Sequence, residues 1–326
     1  MFRIGLIGAG WVTQHHLLAW QRQGARAKVT AIADPARERA EQRARAFAIE
    51  HVYDNARAML DAGALDAVDI AAPREFHAPL VSEAAARGLP ILCQKPLAPT
   101  YDEARELARD VTGKTRLMVH ENWRFRAYYR QIAAWLKAGR VGRVLQAQMT
   151  LFTSGLLADA QGKYPALERQ PFIATLERAL VMEVLIHHID ALRFLLGELT
   201  LEHSRIGHAS RAMAGEDRAS LTLSSADGAV VHLMASFTVH GAEPAQSDKL
   251  TIVGERSTIV LDGPLLTLRG AETEELRYDL QACYIDSYAG AIAHFVDALA
   301  DGTPFETAPE DNLRTLAIVE DIYARG

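Results

Sequence analysis

Residues 2–10 read Phe2-Arg3-Ile4-Gly5-Leu6-Ile7-Gly8-Ala9-Gly10, a short apolar run of buried-strand type that breaks at a Gly-x-Gly turn. A helical pattern from Gln14 to Gly24 follows, and a second strand-like run from Lys28 to Ala33 ends at Asp34. Strand, glycine turn, helix, strand and acid in that order mark a dinucleotide-binding βαβ unit. Gly8 turns the chain tightly, and Gly10 lets the backbone approach a pyrophosphate. The helix N-terminus, with Trp11 and Val12 at its entry, favours the ligand's negative charge. Asp34 is placed to accept from a ribose 2′-hydroxyl. Thr13 stands where a third glycine is usual, a position that mainly controls how closely helix and strand pack.

A carboxylate at 34 repels a 2′-phosphate, so NAD is the expected cofactor. NADP is the alternative that Arg37 and Arg39 would serve, by pairing with that phosphate or stacking on adenine. The competing reading leaves these arginines on the solvated face of a charged helix from Pro35 to Phe47.

Up to about residue 120 short apolar runs alternate with helical patterns: Leu65 to Ala71, Ile91 to Cys93 and Arg116 to Val119 as strands, His77 to Arg87 and Asp102 to Val111 as helices. Repeated βα units imply a doubly wound parallel sheet. Beyond it, seven strand-like runs between Val144 and Arg269 follow one another through glycine-containing turns such as Asp227-Gly228 and Asp262-Gly263. An open, mainly antiparallel sheet is expected there. The expected organisation is therefore α/β: a Rossmann domain over 1–120, then an α+β domain over 121–326 for substrate binding and oligomerisation. Its helices from Tyr284 to Ala300 and Pro309 to Tyr323 close the chain, the last a candidate to pack back on the first domain.

The chain has 326 residues, 49% apolar and 23% charged, enough to bury more than one core. A net charge of −6 without a basic run disfavours nucleic acid or an acidic membrane surface as a partner. Cys93 and Cys283, the two cysteines, form no CxxC pair, which speaks against a disulfide framework or zinc ribbon and fits a cytoplasmic protein. The most apolar helical stretch, Ala179 to Leu196, contains Glu183, His187, His188, Asp190 and Arg193, so no membrane span is expected.

Four further segments carry a resemblance. Ala72-Pro73-Arg74-Glu75-Phe76-His77 follows one strand and Gln94-Lys95-Pro96 the next. Asn122-Trp123-Arg124 opens the second domain, and His187 with Asp190 lies in a long helix. In that order and spacing the chain resembles the glucose-fructose oxidoreductase, inositol dehydrogenase and MocA family over almost its whole length. The resemblance implies hydride exchange between a nicotinamide and a carbon of a sugar or polyol, usually without metal, in a homo-oligomer (dimer or tetramer) joined through the C-terminal sheet. A Glu-Lys-Pro segment supplies the family's catalytic lysine. Here that residue is Lys95, with Gln94 in place of the glutamate. Many relatives carry an aspartate four residues ahead of a histidine, and here Glu183 and His187 hold those places. The Gln94-Lys95-Pro96 and Glu121-Asn122-Trp123-Arg124-Phe125 segments look most like the aldose-oxidising, D-apiose dehydrogenase-like branch, which implies oxidation of an anomeric hydroxyl to a lactone.

Alcohol oxidation needs a proton acceptor, a group to stabilise the developing oxyanion and a fixed hydride path. His187 suits the first task and cationic Lys95 the second. On a helix Glu183 and His187 at i, i+4 share a face, with Asp190 three residues on, so all three are expected in one cleft. His188 competes for the role of base but lies about 100° around the helix. Pro73 and His77 are expected near the nicotinamide ribose, with a helix-capping role for His77 as the alternative. Gln94 lies beside the cofactor, and Trp11 covers it or packs. Asn122 and Arg124 are expected to line the substrate cleft, the alternative for Arg124 being an interdomain ion pair. Tyr128, Tyr129, Phe152 and Tyr164 are candidate sugar-ring walls or core. No resident metal is assigned, though Glu183, His187 and Asp190 could build a metal-dependent variant. Gly113-Lys114-Thr115 lacks the glycine of a phosphate loop, and His120-Glu121 lacks the second histidine of HExxH. Two other functions stay open: an NAD-dependent glycosidase of the same family, and a nicotinamide-binding regulatory protein without turnover.

Overall fold

Strand β1 (Phe2–Ile7) has its last four residues buried, and it becomes the centre of a six-stranded sheet with β2 (Ala27–Ala33), β3 (His51–Tyr53), β4 (Ala67–Ile70), β5 (Ile91–Gln94) and β6 (Leu117–His120). The structure, a computed structural model, describes residues 1–245 and 247–326. All the pairings in this sheet are parallel, in the order β3-β2-β1-β4-β5-β6. The strand order therefore reverses between β1 and β4. Ligands of open α/β sheets bind outside the carboxyl ends of the strands at such a reversal. The glycine turn leaves β1 there and Ala72-Pro73 leaves β4, while Lys95 follows the end of β5.

Helices α1 (Thr13–Gln21), α2 (Arg37–Phe47), α3 (Ala56–Asp61), α4 (His77–Ala85) and α5 (Tyr101–Val111) join these strands. Asn55 caps α3 by accepting from the Ala58 N–H at 2.8 Å, and Thr100 caps α5 through Glu103 N at 3.3 Å. Every residue of β4, β5 and β6 is buried, as helices on both faces require. Asp69, Gln94 and His120 are the polar members of those strands. The core joins Leu6, Leu17, Trp20, Ile32, Leu92 and Met118 to Ile292, Phe295 and Phe305, with the Phe295 and Phe305 rings stacked at 5.3 Å.

That core explains the chain's division. One compact unit comprises Met1–Arg126 and Tyr284–Leu316, the other Ala127–Cys283 and Ala317–Gly326. The division thus differs from the expected 120/121 boundary. Asn122 Nδ2 donates to Ser287 Oγ at 2.7 Å and Arg124 pairs with Asp311 at 2.6 Å, which keeps residues 122–126 with the first unit.

The second unit contains α6 (Ala127–Lys137), β7 (Val144–Phe152), α7 (Pro165–Arg169), a π-helical segment (Leu180–Leu185), α8 (Ile186–Leu196), β8 (Leu199–Gly207), β9 (Arg218–Ser225), β10 (Val230–Ser236), β11 (Lys249–Gly254), β12 (Ser257–Asp262), β13 (Leu265–Gly270) and β14 (Thr273–Arg277). Its eight strands run β14-β13-β12-β11-β7-β10-β9-β8, antiparallel except where β10 pairs with β7. Burial alternates along β9 and β10, the mark of a sheet covered on one face. Two long helices, α9 (Leu280–Asp301) and α10 (Pro309–Arg325), contribute residues to both units.

Candidate active site

Gly8 and Gly10 are glycines for different reasons. Gly8 has φ +110°, and a Cβ on it would lie 2.5 Å from the Ala71 carbonyl oxygen, so the chain's own packing forbids a side chain. A Cβ on Gly10 would meet no atom within 4 Å. The protein itself places no demand there, and an approaching pyrophosphate is what a side chain at 10 would obstruct. Thr13 is fully buried, and its hydroxyl donates to the Gly8 carbonyl at 3.3 Å, bracing the turn. Trp11 is 45% exposed beside the turn, its ring edge-on to His15 at 4.8 Å, and Val12 accepts from the His15 N–H at 2.9 Å as α1 begins.

Asp34 is half-buried at the end of β2. Its Oδ2 accepts from the Ala9 N–H at 2.7 Å and its Oδ1 from Ala36 N–H at 2.8 Å. Each oxygen keeps a second lone pair, so the carboxylate can fix the glycine turn and still accept from a ribose. Arg37 is taken up by Glu41 and Asp54, both at 2.8 Å. Sequence reasoning missed Arg43, which reaches back from α2 to donate to the Gly10 carbonyl at 3.1 Å. It looked like one more arginine of a solvated helix.

Pro73 is exposed at the start of a 3₁₀ turn, Arg74–Phe76. His77 is 1% exposed, and it does not cap α4. Its Nδ1 faces the Pro96 carbonyl at 2.8 Å and its Nε2 the Ala72 carbonyl at 2.9 Å, so it braces the loop after β4 against the segment that follows Lys95. Burial lowers its pKa more than the two carbonyls raise it. Lys95 is partly exposed and Gln94 buried. Gln94 Oε1 accepts from the Lys95 N–H at 2.7 Å.

Asn122 and Arg124, expected to line a substrate cleft, are 2% and 4% exposed. Arg124 pairs with Asp311 and donates to the Glu306 carbonyl at 3.2 Å, both within the first unit. These contacts of Arg124 lie within one compact unit, where local partners offset its desolvation.

In the second unit the stretch expected as one helix from Ala179 to Leu196 divides. Its first turns are π-helical, with the Ile186 N–H directed to the Val181 carbonyl, and α8 begins at Ile186. Glu183 and His187 thus lie on opposite sides of a change in helical pitch, and i, i+4 spacing alone no longer puts them on one face. His187 and Asp190, 6% and 1% exposed, are both within α8 and share a face at i, i+3. Glu183 is half-buried. His188, the rival base, is fully buried: its Nδ1 lies 3.1 Å from the Val184 carbonyl and its Nε2 2.9 Å from Asp248. Tyr129 and Tyr128 donate to the same carboxylate at 2.9 and 3.3 Å, so these tyrosines are core rather than sugar walls.

Sequence reasoning also missed Glu216. This buried carboxylate accepts from the Val181 N–H at 2.9 Å, from the Ala179 N–H at 3.2 Å and from the Tyr323 hydroxyl at 2.6 Å, closing the N-terminus of the π segment. The Tyr323 oxygen in turn accepts from the Met182 N–H at 3.2 Å. Burial, with Glu216 beside it, pushes the Tyr323 phenol well above its usual range. Only tertiary structure brings residues 216 and 323 to this helix end, so no local pattern announced them. Among the described residues no three His, Cys, Asp or Glu side chains converge as metal ligands do, and no helix is long and apolar enough to cross a membrane.

Residues 2–121 match the model of an oxidoreductase family with an NAD-binding Rossmann fold, and residues 129–260 match the GFO/IDH/MocA C-terminal domain. The chain is 30% identical to D-apiose dehydrogenase of Rhizobium rhizogenes over 98% of its own length and 93% of that protein's. It is 28% identical to inositol 2-dehydrogenase of Streptomyces avermitilis, over 92% and 84% of the two lengths. Among solved structures, an oxidoreductase from Agrobacterium radiobacter in complex with NAD+, L-tartaric acid and magnesium superposes with a TM-score of 0.91 at 28% identity, covering 99% of this chain and 96% of that one. With both domains matched, the chain belongs to the GFO/IDH/MocA family of NAD-binding oxidoreductases.

Proposed function

We propose that this protein is an NAD-dependent dehydrogenase of a sugar or polyol, most specifically of an aldose oxidised at its anomeric carbon to a lactone. The observation that carries the reading is the full-length similarity to D-apiose dehydrogenase. The Gly8–Gly10 turn supports the cofactor, since Gly10 is unconstrained by the protein's own atoms. Asp34 supports NAD over NADP, and the pairing of Arg37 with Glu41 and Asp54 engages one of the arginines that a 2′-phosphate would call on.

Bound NAD supplies the acceptor for the hydride that leaves the anomeric carbon. His187 takes the hydroxyl proton as general base, and the Lys95 ammonium stabilises the negative charge that grows on the same oxygen. Glu183 and Asp190 orient the imidazole or the substrate. The reading includes a cytoplasmic protein, consistent with two buried, free cysteines. It also includes a homo-oligomer joined through the second sheet, whose outward face is uncharged at Gln148, Thr150, Thr222 and Thr251.

Aldoses, branched aldoses and inositols, each offered with NAD and NADP while the absorbance of the reduced cofactor is followed, test it directly. Lys95→Met and His187→Ala should each lose turnover while cofactor binding survives. Full turnover in His187→Ala would remove that residue from the role of base.

A further inference from the structure

A chain of hydrogen bonds runs through the sheet of the first unit and ends on the backbone of Lys95. It starts at Asp69, in the middle of β4 and fully buried, whose Oδ2 accepts from Trp20 Nε1–H at 2.7 Å and lies 2.9 Å from His16 Nδ1. His16, also fully buried, lies with its Nε2 3.1 Å from Gln94 Nε2. Gln94 Oε1 then accepts from the Lys95 N–H at 2.7 Å. A buried carboxylate in a strand is costly, and Asp69 Oδ1 has no hydrogen-bond partner among the described residues. An apolar residue would suit β4 better, so the carboxylate calls for an explanation beyond packing.

The donor and acceptor roles supply one. Ionised Asp69 only accepts, so His16 must carry its proton on Nδ1. Neutral His16 then presents a lone pair at Nε2, which only the NH₂ end of Gln94 can meet. That fixes the amide with its oxygen toward Lys95, the one arrangement in which the Lys95 N–H finds an acceptor. Each link forces the next. His120 and Tyr288 flank His16 with ring centroids at 4.3 and 5.6 Å, so the imidazole is packed on both sides.

We propose that Gln94, oriented by Asp69 through the tautomer of His16, is a positioning residue that fixes the backbone of Lys95. The consequence for catalysis rests on the dehydrogenase reading given above, while the hydrogen-bond chain does not. Removing Gln94 takes this acceptor from the Lys95 N–H and loosens the backbone from which the ammonium extends, a displacement that costs rate more than affinity.

The test uses Gln94→Leu and Gln94→Glu in the full chain. Gln94→Leu should lower kcat by about 100-fold, with hydrogen exchange at the Lys95 amide accelerated. Gln94→Glu keeps an acceptor for Lys95 but as a carboxylate offers His16 Nε2 no donor, so the link survives only with one added proton between the two groups. Nitrogen NMR of labelled histidine should find His16 protonated on Nδ1 alone in the natural protein. Unchanged kcat and an equally protected Lys95 amide in Gln94→Leu, or a proton on Nε2 of His16 in the natural protein, overturns the inference. If no sugar is turned over at all, the dehydrogenase reading falls, and amide exchange with the histidine tautomer decides the inference without it.

Discussion

Glu216→Ala removes the acceptor at the start of the π segment and leaves three donors behind it: the N–H groups of Ala179 and Val181, and the Tyr323 hydroxyl. Ala179, Val181 and Glu216 are all buried, so water does not readily replace the lost partner. Each unsatisfied buried donor costs about 1–3 kcal/mol. The hydroxyl can rotate toward another acceptor, so we expect a net loss of about 3–5 kcal/mol. That is a large share of the roughly 5–15 kcal/mol by which a domain is stable. Glu216→Gln keeps one acceptor oxygen and should lose about 1 kcal/mol. Tyr323→Phe deprives the Met182 N–H of its acceptor and should lose about 1–2 kcal/mol. The two mild changes touch the same bond and should combine less than additively.

Urea unfolding followed by circular dichroism measures these losses, and NAD affinity and sugar turnover are measured alongside. The glycine turn and Glu216 belong to different compact units, so NAD affinity should survive in Glu216→Gln and Tyr323→Phe. Turnover should fall in both, because Glu183 and His187 hang on the segment that the clamp holds. A Glu216→Ala protein with the natural unfolding midpoint and natural turnover would show that the carboxylate bears no load and would refute the reasoning.

The two glycines of the turn should separate folding from binding. Gly8→Ala meets the Ala71 carbonyl and a left-handed φ, so it should lose about 1–3 kcal/mol of stability together with NAD binding, whereas Gly10→Ala should keep its melting temperature and lose only NAD affinity in calorimetry. Equal melting losses in both would end that distinction. Asp34→Ala should weaken NAD binding and erase the preference over NADP, since it also frees the Ala9 N–H; Arg37→Ala should leave the preference intact, and a switch toward NADP in titrations would contradict it. Burial lowers the pKa of His77, and burial with His16 and Arg43 lowers that of His15. A histidine depressed in the fold binds its proton more readily when unfolded, so this contribution is complete above about 6.5, the unfolded value. It is lost as pH falls through the lower folded values. Denaturation midpoints between pH 8 and 5 should decline on acidification, less steeply in His77→Asn, and an identical slope would remove His77 as a contributor.

Most of the first unit was legible because its signals are local. A strand, Gly8, Gly10, a helix and Asp34 occur within a span that a reader of the chain can inspect, and the apolar runs at 65–71 and 91–93 became β4 and β5 within a few residues. Strand β3 and helix α3 escaped because three and six residues carry too little periodicity to be read. The π-helical turn escaped for another reason. Leu180–Leu185 has an ordinary helical composition, and the acceptors that meet its first N–H groups come from residues 216 and 323, far along the chain. The pairing of Arg124 with Asp311 was not legible, because a charge at a domain crossing looks the same in sequence whatever it faces.

What connects the unread features is the buried carboxylate. Asp69, Glu216 and Asp248 each lie in the interior, and each is met by ring, phenol or backbone groups: Trp20 and His16; two backbone amides and Tyr323; Tyr128, Tyr129 and His188. A cation would return more Coulomb energy, but a flexible one would leave the geometry loose. Rings, phenols and backbone amides have fixed directions, so a carboxylate that gathers them locks several elements into one arrangement. Asp69 acts behind Lys95, Glu216 at the segment of Glu183, and Asp248 on His188 next to His187. Each proposed catalytic side chain therefore has a buried acid within about three links behind it. If these acids served stability alone, apolar residues of similar volume would match or exceed them. Their distribution follows the proposed chemistry instead, so replacing any one should disturb rate in excess of what its loss of stability explains.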